Sequence, residues 1–173
     1  RSRGLGDVYK RQENEGEEDN TYLSYNMVVG NAADSQMAMA FEVLDYALLS
    51  APGAPLKQAL LDVKAGKDVY GSYDDGILQP YFTVIAKGSN PDRKEEFVSV
   101  IRQVLGDIVK NGIDRKAVEA GINYFEFRYR EADFSSYPKG LMYSLDILGD
   151  WLYEKGNPFA QVQPVSYTHL TLP

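Results

Sequence analysis

The side chains that could do chemistry in this 173-residue sequence are mainly carboxylates, since it contains 25 Asp and Glu, one His and no Cys. A helical zinc site of the H-E-x-x-H or H-x-x-E-H type needs two His residues on one helix face. The only histidine, His169, lies in the C-terminal tail. Nucleophilic schemes that pair Ser or Cys with His fail for the same reason. We therefore predict no catalytic residue, no metal ligand and no cofactor in this segment.

Two groups of carboxylates remain as candidates for binding. Asp74 and Asp75 precede Gly76 and could bind a hard cation, but adjacent acids before a glycine are more typical of a hairpin turn. Glu126 and Arg130 have the i,i+4 spacing of an exposed ion pair on a helix. We interpret both groups as structural.

Aromatic side chains are concentrated near the middle of the C-terminal half. Stacking on nucleic-acid bases would need interleaved basic residues, and the chain has a net charge of -7. An acidic chain also repels anionic lipid surfaces. We predict core packing for this group and expect neither nucleic acid nor a membrane as a partner. The group is Tyr124, Phe125, Phe127, Tyr129 and Phe134.

The elements that would position these residues begin with three strands. Residues 21–30 alternate with period two and contain many β-forming residues, which predicts a strand. Residues 68–73 and 78–87 flank the loop 74–76, which predicts a β-hairpin. Pro80 must lie at a strand start or on an edge, because it has no N–H for a ladder.

Helices are predicted between and after the strands. Asp34, Asn90 and Asp114 are candidate N-caps, and Gly66 is expected to end a short helix that starts near Pro55. The apolar stripes Phe41-Leu44-Leu48, Ile101-Val104-Ile108 and Leu141-Leu145-Leu148-Leu152 have helical spacing. The hairpin implies antiparallel pairing, so we predict an α+β fold, an antiparallel sheet with helices packed on one face.

The two ends of the chain are expected to be non-native. One short DNA element, read in opposite directions, can encode both DVYKRQ at residues 7–12 and VSYTHL at residues 165–170, and it resembles a sequencing adapter. The predicted organisation is an adapter scar at 1–12, an acidic linker at 13–20, an incomplete α+β domain at 21–164 and a second scar at 165–173. The segment would then be internal to a longer protein, in which targeting signals cannot be assessed.

Four stretches resemble the pitrilysin/insulinase family of inverted-motif zinc metallopeptidases, and its presequence-protease-like branch in particular. They are SYNMVVGNAADSQMAMAFEVLDYALLS, APGAPLKQALLD, DVYGSYDDGILQPYFTVIAKGSNPD and FSSYPKGLMYSLDILGDWLYEKGNPF. The resemblance implies four homologous α+β domains around a closed chamber, with zinc held by the first. This segment resembles the second domain, which holds no metal. No catalytic residue of the family can be carried over to any position here.

The resemblance implies a catalytically silent domain of a zinc metalloendopeptidase that degrades unfolded peptides. Its expected partners are the upstream catalytic domain of the same chain and, for the parent protein, a peptide substrate; zinc belongs to the parent only. One alternative is a structural homologue that has lost catalysis, and another is a free-standing α+β binding module. An H-x-x-E-H motif upstream of Glu13 would favour the metalloendopeptidase, and its absence would favour the structural homologue.

A domain taken from such a chamber should show an interface without its partner. The expected contributors are Tyr81 and Ile85 on the hairpin and Trp151 on the last helix, since aromatic residues are enriched at interfaces. For Trp151, an ordinary widening of the helix's apolar stripe is an equally good interpretation.

Overall fold

Three antiparallel strands form the sheet in the computed structural model, which describes residues 18–31, 34–131 and 136–153. The strands are β1 (Thr21–Val28), β2 (Asp68–Asp74) and β3 (Tyr81–Ser89). Their order is β1-β3-β2, so the strand that comes last of the three in the sequence lies in the middle. The hairpin of β2 and β3 is confirmed, although its loop is longer than predicted and Pro80 lies just before β3.

The alternation in β1 sorts its side chains onto two faces. Leu23 is buried, and Tyr25, Met27 and Val29 pack beside it in the core. The intervening residues face the opposite side, where Val28 is exposed. The sheet therefore has one covered face and one open face, as expected for an antiparallel sheet with helices on one side.

The helices follow the predicted order, with two short additional segments, a π-helical turn and a 3-10 turn. Asp34 accepts a hydrogen bond from the Met37 amide at 3.0 Å, and Asp114 accepts one from the Lys116 amide at 3.0 Å, so both predicted N-caps are confirmed. The first helix changes from α to π geometry in its last turn. The segments are α1 (Ser35–Asp45), a π-helical turn (Tyr46–Ser50), α2 (Pro55–Asp62), a 3-10 turn (Pro91–Arg93), α3 (Lys94–Asn111), α4 (Arg115–Glu131) and α5 (Lys139–Leu152).

The main core lies between the covered face of the sheet and the helices α1, α2 and α3. Leu48 and Ile101 are buried there, as their stripes predicted, with Phe41, Leu44 and Val104 packed at its margin. A second cluster joins the first helix to α4 through Val43, Ala47, Val118 and Phe125. The α+β fold with an antiparallel sheet and helices on one face is confirmed.

The predicted end of the second helix is wrong. Helix α2 ends before Gly66, and Lys64 takes the left-handed turn with φ of 55°. The Ala65 amide donates to the Leu60 carbonyl and the Lys64 amide to the Leu61 carbonyl, each at 2.9 Å, which is a Schellman motif. Gly66 serves another purpose, because a Cβ there would lie 2.7 Å from the Lys87 carbonyl oxygen.

The side chain of Asn90 does not cap the following helix. Its Oδ1 accepts from the Asp19 amide, and its Nδ2 donates to Asp19 Oδ1, each at 2.9 Å. This pair holds the start of the described chain against the end of β3. The hydrogen bond from Asn90, with a further contribution from Lys67, lowers the pKa of Asp19.

The predicted adapter segments, 1–12 and 165–173, lie outside the described residues, as does Phe134. Within the described ranges, no helix combines the length and the apolar character needed to cross a bilayer.

Candidate functional site

The open face of the sheet carries two of the three predicted interface residues. Tyr81 and Ile85 project from the central strand β3, and each is half-buried between the strands on either side. Ile85 lies opposite Ser24 of β1 and Tyr70 of β2. Tyr70 is exposed, as is Tyr22 near the far end of β1. The open face therefore mixes aromatic rings with small polar groups.

A polar row crosses the middle of this face. Thr83 lies opposite Asn26 on one side and Ser72 on the other. The Thr83 hydroxyl donates to Asn26 Oδ1 at 2.7 Å, and Asn26 Nδ2 donates to the Ser24 hydroxyl at 2.9 Å. These bonds satisfy the buried Thr83 hydroxyl. The apolar contact area of the open face is supplied by the tyrosines together with Val28 and Ile85.

A chain of hydrogen bonds links Tyr81 to the end of α5. The Tyr81 hydroxyl donates to Asp74 Oδ2 at 3.1 Å, and the Gly76 amide donates to Asp74 Oδ1 at 3.0 Å. The Gly76 carbonyl in turn accepts from the Tyr153 hydroxyl at 3.3 Å. The hydrogen bond to Asp74, aided by the negative charge of that carboxylate, raises the pKa of Tyr81.

The third predicted interface residue, Trp151, lies on α5 and is 68% exposed. The Tyr153 hydrogen bond brings the last turn of α5 to the hairpin loop, where Ile77 and Leu78 are also exposed. The predicted residues therefore occupy two surfaces that approach each other at the hairpin.

Helix α5 presents its leucine stripe outward. Leu141, Leu145, Leu148 and Leu152 are all at least half exposed, whereas Met142, Gly149 and Tyr153 are half-buried. Among the described elements, none packs extensively against α5. Periodicity predicted the stripe but could not show which way it faces.

One buried acidic group was not predicted from the sequence. Asp45, at the junction of α1 and the π-helical turn, has a buried Oδ1 without a hydrogen-bond partner. Desolvation raises the pKa of Asp45, and a hydrogen bond with Ser50 offsets this in part. The sequence feature that could have indicated this group is the position of Asp45, an acid four residues after Phe41 within the apolar stretch of the first helix.

The described residues do not fit a zinc ion. No group of three or more His, Cys, Asp or Glu lies together in the described part of the chain. Asp74 and Asp75 belong to the hairpin, where Asp74 accepts from Gly76 and Tyr81. Two carboxylates with such partners fall short of the three protein ligands of a catalytic zinc site.

The aromatic concentration on α4 contributes to packing at some of its positions. Phe125 is buried in the second cluster, and Tyr124 stacks on Tyr46 with 5.0 Å between ring centroids. Phe127 is 65% exposed. The core interpretation therefore holds for Phe125 but fails for Phe127, which faces away from the packed side of the helix.

Comparison with known proteins identifies a family to which the chain is similar. A family profile described as the peptidase M16 inactive domain matches residues 5–125. Protein HypA of Clostridium perfringens is 43% identical over 143 residues, which cover 83% of this chain. Presequence protease 1 of Arabidopsis thaliana is 33% identical over 136 residues, or 78% of the chain.

The chain spans only a small part of these relatives, 15% of HypA and 12% of the Arabidopsis protein. The mitochondrial presequence protease of Xenopus laevis is 26% identical over 145 residues, which are 14% of its length and 82% of this chain. Each of these proteins is therefore several times longer than this chain.

Solved structures support the fold. The inactive peptidase domain of a protein from Bordetella parapertussis assigned as a zinc protease superposes with a TM-score of 0.65 at 14% identity, covering 83% of this chain and 76% of that one. A protein from Bordetella pertussis Tohama I with the same assignment gives 0.62 at 16% identity, covering 83% and 77%.

Proposed function

This chain belongs to the peptidase M16 family and carries its inactive domain, and on that premise we propose that it is the catalytically silent domain of a longer zinc metalloendopeptidase. That protein would degrade unfolded peptides, with zinc held by an upstream catalytic domain. The observation that carries the proposal is the family match over residues 5–125.

The chemistry of the chain supports a silent role. The sequence has a single His and no Cys, and a catalytic zinc site of the inverted-motif kind needs two His and a Glu on one helix. Two relatives are named presequence proteases, which favours a peptidase as the parent over a structural homologue without activity. The length of the relatives favours a domain over a free-standing module.

The physical role we propose is to complete the wall of a substrate chamber. A sheet supported by helices on one face can turn its open face toward an enclosed space without losing its core. An enclosed chamber excludes folded proteins by size, so the preference for unfolded peptides would need no sequence motif in this segment. The upstream catalytic domain is the proposed partner within the polypeptide.

Nucleic acid and membranes are not proposed as partners. The chain has 18 basic against 25 acidic residues, and phosphate-rich partners are bound through clustered Lys and Arg. Aromatic residues on the open face, such as Tyr22 and Tyr70, therefore suit contact with protein or peptide better than base stacking.

The test compares the 173-residue chain with the full-length protein encoded by its gene. Both are dialysed exhaustively, analysed for zinc and incubated with an unstructured fluorogenic peptide. We expect stoichiometric zinc and cleavage from the full-length protein alone, with a folded control protein left intact. Zinc retained by the short chain would contradict the silent role, and a full-length protein that cleaves no peptide would favour the structural homologue.

A further inference from the structure

The outward stripe of α5 has the spacing of a helix-packing seam. Leu141, Leu145, Leu148 and Leu152 follow one another at intervals of four, three and four residues. Alternating intervals of four and three residues are the pattern of a coiled-coil seam, in which each apolar side chain inserts between residues of a facing helix. The stripe extends for about 16 Å along the helix.

The positions beside the stripe also suit a second helix. Ser144 and Gly149 are small and allow close approach, and Trp151 offers a large apolar surface at one edge. None of the seam and flanking positions 141, 142, 144, 145, 148, 149, 151 and 152 carries a charge. Nothing in the sequence of this seam therefore opposes an apolar partner.

A helix of 14 residues has little stability of its own in water. The described part of the chain gives α5 a hydrogen bond at its end, from Tyr153 to Gly76, but no extensive packing against another element. Apolar burial is what normally stabilises a helix of this length, so the leucine stripe implies a covering partner.

We propose that the leucine stripe of α5 docks a helix from the part of the same longer polypeptide that lies outside these 173 residues. The proposal rests on the proposed function, in which this chain is one domain of a longer protein. The relatives leave about 85% of their length outside the matched region, which provides the source of the partner helix.

A second copy of this chain fits the stripe less well. Stable interfaces between separate proteins use roughly 20–30 residues on each side, and the stripe with Trp151 offers five apolar side chains. Two copies with a net charge of -7 each also repel one another. A tethered helix needs a much smaller contact, because the linker holds it at an effective concentration on the order of mM.

The experiment places a photo-crosslinking residue, p-benzoylphenylalanine, at Leu148 of the full-length protein. Val109 on α3 receives the same residue as the control, because it is 85% exposed outside any such stripe. We expect an intramolecular crosslink from position 148 to a helix outside residues 1–173, identified by mass spectrometry, and none from position 109. Amides of α5 should also exchange at least about tenfold more slowly in the full-length protein than in the 173-residue chain.

Three outcomes would overturn the proposal. Crosslinks from position 148 to residues 1–173 would show that the chain covers its own stripe, and crosslinks between copies would identify a dimer. The absence of any crosslink, with equal exchange in both proteins, would show that the stripe stays open.

Peptide cleavage measured on the same preparations separates the two proposals. A long-range crosslink without cleavage removes the peptidase function and leaves the docking intact, whereas cleavage without a crosslink removes only the docking.

Discussion

Asp45 directs one carboxylate oxygen at the backbone of Gly71, so closely that any side chain at position 71 would collide with it. The oxygen is buried and has no hydrogen-bond partner. The last turn of the first helix is thereby fitted against β2 at a position where the strand has no side chain. From this contact we predict that replacing Asp45 stabilises the chain and that replacing Gly71 destabilises it.

Replacing Asp45 with Asn should stabilise the chain at neutral pH. Desolvation raises the pKa of Asp45 above its usual 3.8, so the folded state binds the proton more tightly than the unfolded state. The stability that this proton provides is complete below pH 3.8 and is lost as pH rises through the folded-state pKa. Thermal unfolding should show a Tm advantage for D45N at pH 7 that disappears near pH 3.5.

Asp107→Asn is the control for this pH series, since Asp107 is exposed on α3 and the substitution changes the net charge equally. A D107N curve that matches D45N would mean that the gain comes from overall charge.

Replacing Gly71 with Ala should destabilise the chain by about 1–3 kcal/mol, the usual cost of overpacking. The added methyl would collide with Leu49 and Asp45 and lie 3.1 Å from the Thr83 carbonyl oxygen. Urea unfolding measures the effect. Gly106→Ala is the control, because no described atom beyond its chain neighbours and the backbone of its own helix lies within 4 Å of a Cβ there; it should gain roughly 0.5–1 kcal/mol as a helix-interior alanine. Equal effects at both positions would contradict the close contact.

Replacing Lys64 with Gly should stabilise the end of α2 by up to about 1 kcal/mol, because Lys64 holds a left-handed conformation that favours glycine. Lys64→Ala removes the same side chain but keeps the conformational cost, so it should give no comparable gain. The midpoint of urea unfolding distinguishes the two variants, and a similar gain in both would point to removal of the lysine charge.

Truncating the core stripes should be costly. Leu48 and Ile101 are 5% and 0% exposed, so Leu48→Ala or Ile101→Ala should each lower the free energy of unfolding by about 2–5 kcal/mol. Val109→Ala, at an exposed position on the same helix as Ile101, should change it by less than about 0.5 kcal/mol. If Ile101→Ala lowered the free energy of unfolding only slightly, the sheet-facing side of α3 would not belong to the core.

Removing residues 1–12 and 165–173 should change the free energy of unfolding by less than about 0.5 kcal/mol if these ends are non-native, as we propose. Thermal unfolding of the trimmed and full chains is the measurement. The family match begins at residue 5, so trimming from the N-terminus alone also tests whether residues 5–12 belong to the domain. A large cooperative loss would identify them as native.

The sequence predicted the elements better than their arrangement. Alternation in β1 and the i,i+7 spacing of Phe41 and Leu48 are local signals, and both survive in the structure. The order β1-β3-β2 depends on which edge of the hairpin β1 joins, and no residue in β1 specifies that edge.

Close approaches between residues that are distant in the sequence could not be predicted either. Gly66 looks like a helix terminator, yet it is needed because Lys87, twenty-one residues later, approaches it. The stripe of α5 has the same spacing as a buried one, so only the structure shows that Leu148 faces outward. Asp45 could be seen as an acid among apolar residues, but its approach to Gly71 could not.

The central place of β3 has a consequence for biosynthesis. During translation β1 leaves the ribosome first, but its partner is not complete until Ser89 has followed, some sixty residues later. The hairpin of β2 and β3 closes over a short loop and can form early, whereas β1 must wait to join it over a long one. For that interval the apolar residues between Leu23 and Val29 have no partner strand to pair with, so this segment needs protection on a nascent chain.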